Sequence, residues 1–158
     1  MNEPFVRVGT PADLKEVMRL AALDSLENAI VEPDPYKFVS DVEPALHLDR
    51  GVVGVIGGGP GEHLEAFILL KYASMWYSNQ LHLEERIVFV DPEYRSAKGG
   101  RARKLVEFAK NTADRLGLHL SIGVLSNKRT EAKIRLYERM FGKPVGVYFM
   151  HTPKIAEG

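Results

Sequence analysis

The sequence predicts a single α/β domain in which a mixed sheet carries helices on both faces, and three observations support this. The chain has 158 residues, 45% hydrophobic and 27% charged, which suits one compact core spanning 1–158. Segments whose apolar residues alternate interleave with segments whose apolar residues recur at helical spacing. No repeat, linker or low-complexity stretch interrupts that succession, so the elements belong to one layered unit.

The order of elements follows from local chemistry. "FVRVGT" alternates apolar and polar residues as a strand does, and "TPADLKEVMRLAALDSLEN" opens a helix at Thr10 with Pro11 in its first turn. "DPYKFVSDVEPALHL" reads as a shorter helix that Pro44 interrupts. "GVVGVIG" and "HLEAFILLKYA" are strand runs joined by glycine-rich "GGPGE", an antiparallel hairpin. "LHLEERIVFVDP" is a further strand closed by Pro92. From Gly100 to Leu116 the set Leu105, Phe108, Ala109, Thr112, Ala113 and Leu116 keeps the helical period, and Gly117 is positioned to cap the end. "LHLSIGVL" is a strand, "TEAKIRLYERM" a helix and "PVGVYFMHT" a last strand, giving β-α-α-β-β-β-α-β-α-β.

Composition excludes several function classes. Basic and acidic residues balance at 21 each, so no overall field draws the chain to nucleic acid or an anionic membrane. The apolar runs fall short of the ~20 residues of a spanning helix, and the N-terminus lacks secretion-signal character, so a cytoplasmic protein is expected. With no cysteine there is no disulfide, thiolate metal site or thiol nucleophile. The five histidines never take close metal-ligand spacing, and no metal is expected. "GGGPG" at 57–61 is followed by no helix and reads as a hairpin loop rather than a phosphate cradle. Trp76 and Tyr77 line an acceptor pocket, pack under a loop or form a homodimer contact; these readings stay open.

The stretch "DPEYRSAKGGRARKLVEF" carries most of the functional signal. A strand, a short turn and a helix N-terminus aim unpaired backbone N–H groups at one point, where the helix dipole adds positive potential. Gly99 and Gly100 offer no Cβ to block a ligand, and Arg95, Lys98, Arg101 and Arg103 add positive charge. Such a turn suits phosphate, although a tight connection with a solvated basic face has the same letters.

The longer segment "IVFVDPEYRSAKGGRARKLVEFA" resembles the part of the GNAT superfamily of acyl-CoA N-acyltransferases where a strand ends in V-x-P-x-x-R and a Q/R-x-x-G-x-G/A loop starts a helix. Val90, Pro92, Arg95 and Gly100 match, Leu105 sits where that helix enters the core, and Lys98 replaces the first glycine. "VRVGTPADL" resembles the family's first strand and helix, and the glycine hairpin its second and third strands. "TEAKIRLYERMFGKPVG" resembles its late N-x-x-A-x-x-L-Y-E-x-x-G-F segment: Ala132, Leu136, Tyr137 and Glu138 match, Thr130 replaces the asparagine, and Phe141-Gly142 reverses the last pair.

The resemblance implies a mostly antiparallel mixed sheet of six to seven strands with about four helices. It implies acetyl-CoA as cosubstrate and a primary-amine acceptor that attacks the thioester directly in a ternary complex. The pantetheine would pair with main-chain groups of Val88 and Val90. The pyrophosphate would meet N–H groups around Lys98, Gly99, Gly100, Arg101 and Ala102, with Arg95 nearby and Asn127 a further CoA contact or a helix cap. Acetyl transfer needs an amine freed of its proton, a stabilised oxyanion and a proton for the leaving thiolate. Glu84 and Glu85 are the candidate bases, of which only one faces the cleft unless the strand bulges. Tyr137 matches the family's general acid and would otherwise be a core aromatic beside Ile134 and Met140. A GNAT-like module that binds CoA weakly and regulates or interacts is the alternative, because Lys98, Thr130 and the Phe-Gly reversal depart from the pattern.

Overall fold

The computed structural model of the chain describes residues 4–95 and 98–155. In order these form β1 (Arg7–Val8), a 3-10 turn (Pro11–Asp13), α1 (Leu14–Asn28), α2 (Pro35–Leu46), β2 (Gly51–Gly57), β3 (Leu64–Ser74), β4 (Leu81–Val90), a second 3-10 turn (Pro92–Tyr94), α3 (Arg101–Leu116), β5 (Leu120–Ser121) and α4 (Thr130–Phe141). The strands lie in the order β1-β2-β3-β4-β5. The first four pair antiparallel and β5 joins β4 parallel.

Side-chain alternation along β3 explains why helices cover both faces. Phe67 and Leu69 pack with Val17, Leu20, Val42 and Leu46 of α1 and α2. Ile68 and Leu70 point the other way, into Leu105, Ala109 and Ala113 of α3. A strand buried on both faces is apolar at nearly every position, as "AFILL" is. Each such side chain contributes ~1.5–3 kcal/mol by leaving water, so this central strand is the main stabilising element.

A buried carboxylate ties the N-terminal elements together. Asp13 is fully buried and accepts both guanidinium arms of Arg7 at 2.9 Å, the N–H of Thr10 at 2.8 Å and that of Gly61 at 3.1 Å. Burial pushes its carboxyl up, but Arg7 and the two N–H groups outweigh that and hold it at about 2. One side chain thus clips β1, the start of α1 and the loop between β2 and β3.

The expectations hold for the four α-helices and the hairpin, and need correction elsewhere. Among the described residues the sheet has five strands, not six or seven. β1 and β5 shrink to two residues each, and "PVGVYFMHT" joins no sheet. Alternation identifies a segment that can pair but not a partner, and among the described residues that segment finds none. Pro44 does not end α2: the helix runs two residues past it to Leu46, at the loss of one N–H to C=O bond.

Candidate active site

The site begins where β4 and β5 part. Their parallel pairing is limited to Leu83 with Leu120 and Glu84 with Ser121, so from Glu85 to Val90 the outer edge of β4 has no strand partner among the described residues. The register with β3 passes from Leu69–Ile87 to Leu70–Glu85, which leaves Arg86 as the extra residue of a bulge. A bulge re-aims neighbouring side chains, and here it falls between the candidate base and the valines of the cleft.

A groove follows that open edge. One cavity of about 200 Å³ is lined by Tyr94, Gly100, Arg101 and Arg103, and a second of about 120 Å³ by Glu27, Val88, Lys133 and Tyr137. They share Val90, Arg95, Ala102, Arg129 and Leu136, so they form one channel from the N-terminus of α3 to Tyr137.

The two glycines at the α3 end differ in role. Gly99 has φ +125°, and a Cβ there would lie 2.7 Å from Pro4 Cγ, so this position is fixed by packing. Gly100 has φ +54°, and a Cβ there would meet only Arg103 Cβ at 4.0 Å. Open space over a helix start leaves room for a ligand. The first intrahelical bond runs from Lys104 N–H to Gly100 O, so the N–H groups of Arg101, Ala102 and Arg103 have no acceptor in their own helix.

The arginines of this turn are largely occupied. Arg95 forms a two-armed pair with Glu27 at 2.5 and 2.6 Å and donates from Nε to Val90 O at 3.0 Å. Its charge is therefore neutralised, and the Val90 carbonyl is taken. Arg101 is buried and reaches Glu65, Tyr94 O and Lys98 O. It closes the loop with its side chain, leaving its backbone N–H to the groove. Lys98 is exposed, as is Arg103, which pairs with Glu107.

Neither Glu84 nor Glu85 lines the groove, and of the two it is Glu85 whose charge acts on Tyr137. Glu84 faces Arg86 at 3.5 Å on a partly exposed surface. Glu85 accepts the Gly123 N–H at 3.3 Å across the gap between β4 and the segment after β5. Burial raises its carboxyl from 4.5 to about 7, helped by Asp24 and Glu84 and opposed by the Gly123 hydrogen bond. Tyr137 is half-buried, packs edge-on against Phe141 and lines the far end of the groove. Burial and the Glu85 charge push its hydroxyl well above the ordinary value, so it stays a neutral donor. The electrostatic influence of Glu85 on Tyr137 brings the two into one neighbourhood.

Asn127 lies outside this arrangement. It donates to Ala29 O at 2.9 Å, anchoring the loop before α4 to the end of α1, and the cap position of α4 is Arg129. Arg129, Ala132, Lys133, Leu136 and Tyr137 all line the groove, and their spacing is that of one helix face. Reading that face from "RTEAKIRLY" would have found Arg129, for which the structure shows no ion pair among the described residues. Asp24, another carboxyl that burial pushes up, gave no sequence signal.

No family model and no curated protein matches the sequence. Solved structures do. A possible acetyltransferase from Clostridium difficile 630 has 21% identity and TM-score 0.66 over 99% of this chain and 100% of that one. AAC(6')-Iy in complex with a CoA bisubstrate analogue has 13% identity and TM-score 0.69 over 98% and 100%. The chain has the GNAT fold. A transcriptional regulator from Bacillus halodurans C-125 also matches, at 18% identity and TM-score 0.67 over 94% and 99%. The GNAT fold thus hosts different proteins, and activity has to be argued from the groove. Among the described residues no helix is long and apolar enough to cross a membrane.

Proposed function

We propose that the chain is an N-acetyltransferase that moves the acetyl group of acetyl-CoA to a primary amine by direct attack in a ternary complex. The observation that carries this reading is the continuous groove from the open Gly100 position to Tyr137, with the Glu85 carboxyl near enough to Tyr137 to act on its hydroxyl. Unpaired N–H groups of the first turn of α3 suit the pyrophosphate, with Arg129 as the cation the sequence motif did not include. The free edge of β4 at Val88 suits the amides of the pantetheine, and Gly100 leaves the space the ligand needs.

Acetyl-CoA supplies the activated thioester; the chain supplies proton handling. Glu85, whose carboxyl burial raises to about 7, accepts the proton that the amine nitrogen loses as the C–N bond forms. Tyr137 donates to the sulfur as the C–S bond breaks, and its raised hydroxyl pKa keeps the donor protonated at neutral pH. The reading is tested by following thiol release and acetylated product with acetyl-CoA and a panel of polyamine, aminoglycoside, amino-acid and peptide amines. Product with at least one amine is expected; tight CoA binding without product across the panel favours a regulatory module. That second reading draws on the neutralised charges of Arg95 and Arg101, which leave few cations for a diphosphate.

A further inference from the structure

The groove contains a nucleophile that transfer to a free amine does not use. Of the lysines among the described residues, only Lys133 lines it, in the cavity that also contains Val88 and Tyr137. Lys133 and Tyr137 are four residues apart on α4, so they share one helix face with a rise of about 6 Å between them. A flexible four-carbon stem therefore carries a primary amine toward the end of the groove where Tyr137 stands.

That amine is held in place but not neutralised. Its Nζ donates to Asn28 Oδ1 at 3.4 Å, and Asn28 Nδ2 donates to Asp24 Oδ1 at 2.8 Å, so the last turns of α1 steady the lysine tip. This one long hydrogen bond uses one of three N–H donors, and among the described residues Nζ forms no ion pair. Arg129 lines the same face, but a guanidinium stays protonated and is no nucleophile. Lys133 is half-buried, and burial holds its amine below the ordinary lysine value against the Glu27 and Asp24 charges that favour the ammonium. More of it is therefore in the neutral form that attacks a carbonyl.

We propose that Lys133 is itself an acetyl acceptor: its Nζ attacks the thioester of acetyl-CoA held in the same groove and becomes an N-acetylated lysine one helical turn from Tyr137. The inference rests on acetyl-CoA lying in the groove, as proposed for transfer to a free amine. The neutral Nζ forms the C–N bond to the acetyl carbonyl as the C–S bond breaks. Nζ then gives up a proton to Glu85, and Tyr137 supplies the proton that the leaving CoA thiolate takes. Because nucleophile and thioester sit in one complex, no second binding event is needed, and oriented groups of this kind react at high effective concentration.

The test is labelling of the full chain by acetyl-CoA alone, read by intact mass and peptide mapping. One acetyl group should appear, at Lys133, ahead of the exposed Lys15 and Lys37, at a rate that does not change with chain concentration. Unfolding in urea should abolish that preference. At limiting acetyl-CoA, folded Gly100→Val should label Lys133 at least ~10-fold more slowly and Lys15 at the wild-type rate. Excess free CoA, which fills the groove without an acetyl group, should do the same to the unaltered chain. An unmodified Lys133, label spread evenly over exposed lysines, a rate that rises with chain concentration, or labelling of Lys133 that free CoA does not slow overturns the inference. A parallel reaction with an added amine separates the two readings. Acetylated amine with Lys133 unmodified overturns self-acetylation and leaves the transferase standing, whereas neither product overturns both.

Discussion

Replacing Glu85 with glutamine separates its catalytic from its structural effect. The glutamine keeps the shape and an oxygen for the Gly123 N–H, which lies 3.3 Å from the carboxylate, and removes only the ability to take a proton. In the fold the carboxyl is raised from 4.5 to about 7 by burial, a change worth about 3 kcal/mol at 1.36 kcal/mol per pH unit. Because the folded value is the higher one, Glu85 favours the fold when protonated. That stability is fully present below about 4.5 and is lost as pH rises through 7. The Gln variant should therefore melt higher than wild type at pH 8 by up to that amount, ~6–12 °C for a domain of this size, and by little at pH 5. Activity should move the opposite way. Wild-type kcat should rise with pH through a limb near 7, and Glu85→Gln should lose ~10²-fold in turnover together with that limb. The assays are thiol release from pH 5.5 to 9 and thermal melts at pH 5 and 8. A Gln variant that turns over like wild type and keeps the limb would refute the assignment, and Asp24→Asn then becomes the variant to measure.

Other substitutions probe the remaining parts. Tyr137→Phe keeps the ring against Phe141 and should lower kcat by ~10² with the melting temperature and CoA affinity unchanged, whereas wild-type kinetics would return Tyr137 to a packing role. Asp13→Ala strands Arg7 and frees two N–H groups, so urea unfolding should show a loss of ~3–5 kcal/mol. The Asp13 carboxyl is depressed, so its contribution is present above 3.8 and disappears as pH falls through about 2; an Asp13→Asn variant should flatten that part of the acid-stability curve. Gly99→Ala pushes a Cβ into Pro4 and should destabilise the chain more than Gly100→Ala, whose cost is the ~1–2 kcal/mol of a left-handed backbone. Equal melting temperatures would mean that the turn has repacked.

Most of the layered fold was legible because burial on one or both faces leaves periodicity in the letters. Leu105, Ala109 and Ala113 marked α3, and the unbroken apolar run of β3 marked the centre of the sheet. The end of the sheet was not legible, since "PVGVYFMHT" has the letters of a strand, and such letters show that a segment can pair without showing that an edge is within its reach. At the site, the glycine turn and Tyr137 could be found by pattern. Which of Glu84 and Glu85 lies near Tyr137 could not, because adjacent strand residues carry the same letter and only the fold brings Glu85 to Gly123 and Tyr137. Arg95 and Arg101 looked like ligand cations, but their partners Glu27 and Glu65 are 68 and 36 residues away in the chain. Sequence shows charge and not its neutralisation.

The central claim is that the groove from Gly100 to Tyr137 holds acyl-CoA, and calorimetric titration of CoA into wild-type chain and into folded Gly100→Val tests it most directly. The wild type should bind, and the variant, whose added side chain occupies the space now open over the first turn of α3, should bind at least ~10-fold more weakly, a difference of 1.4 kcal/mol. No CoA binding by the wild type, or equal affinity in a folded variant, would contradict the account.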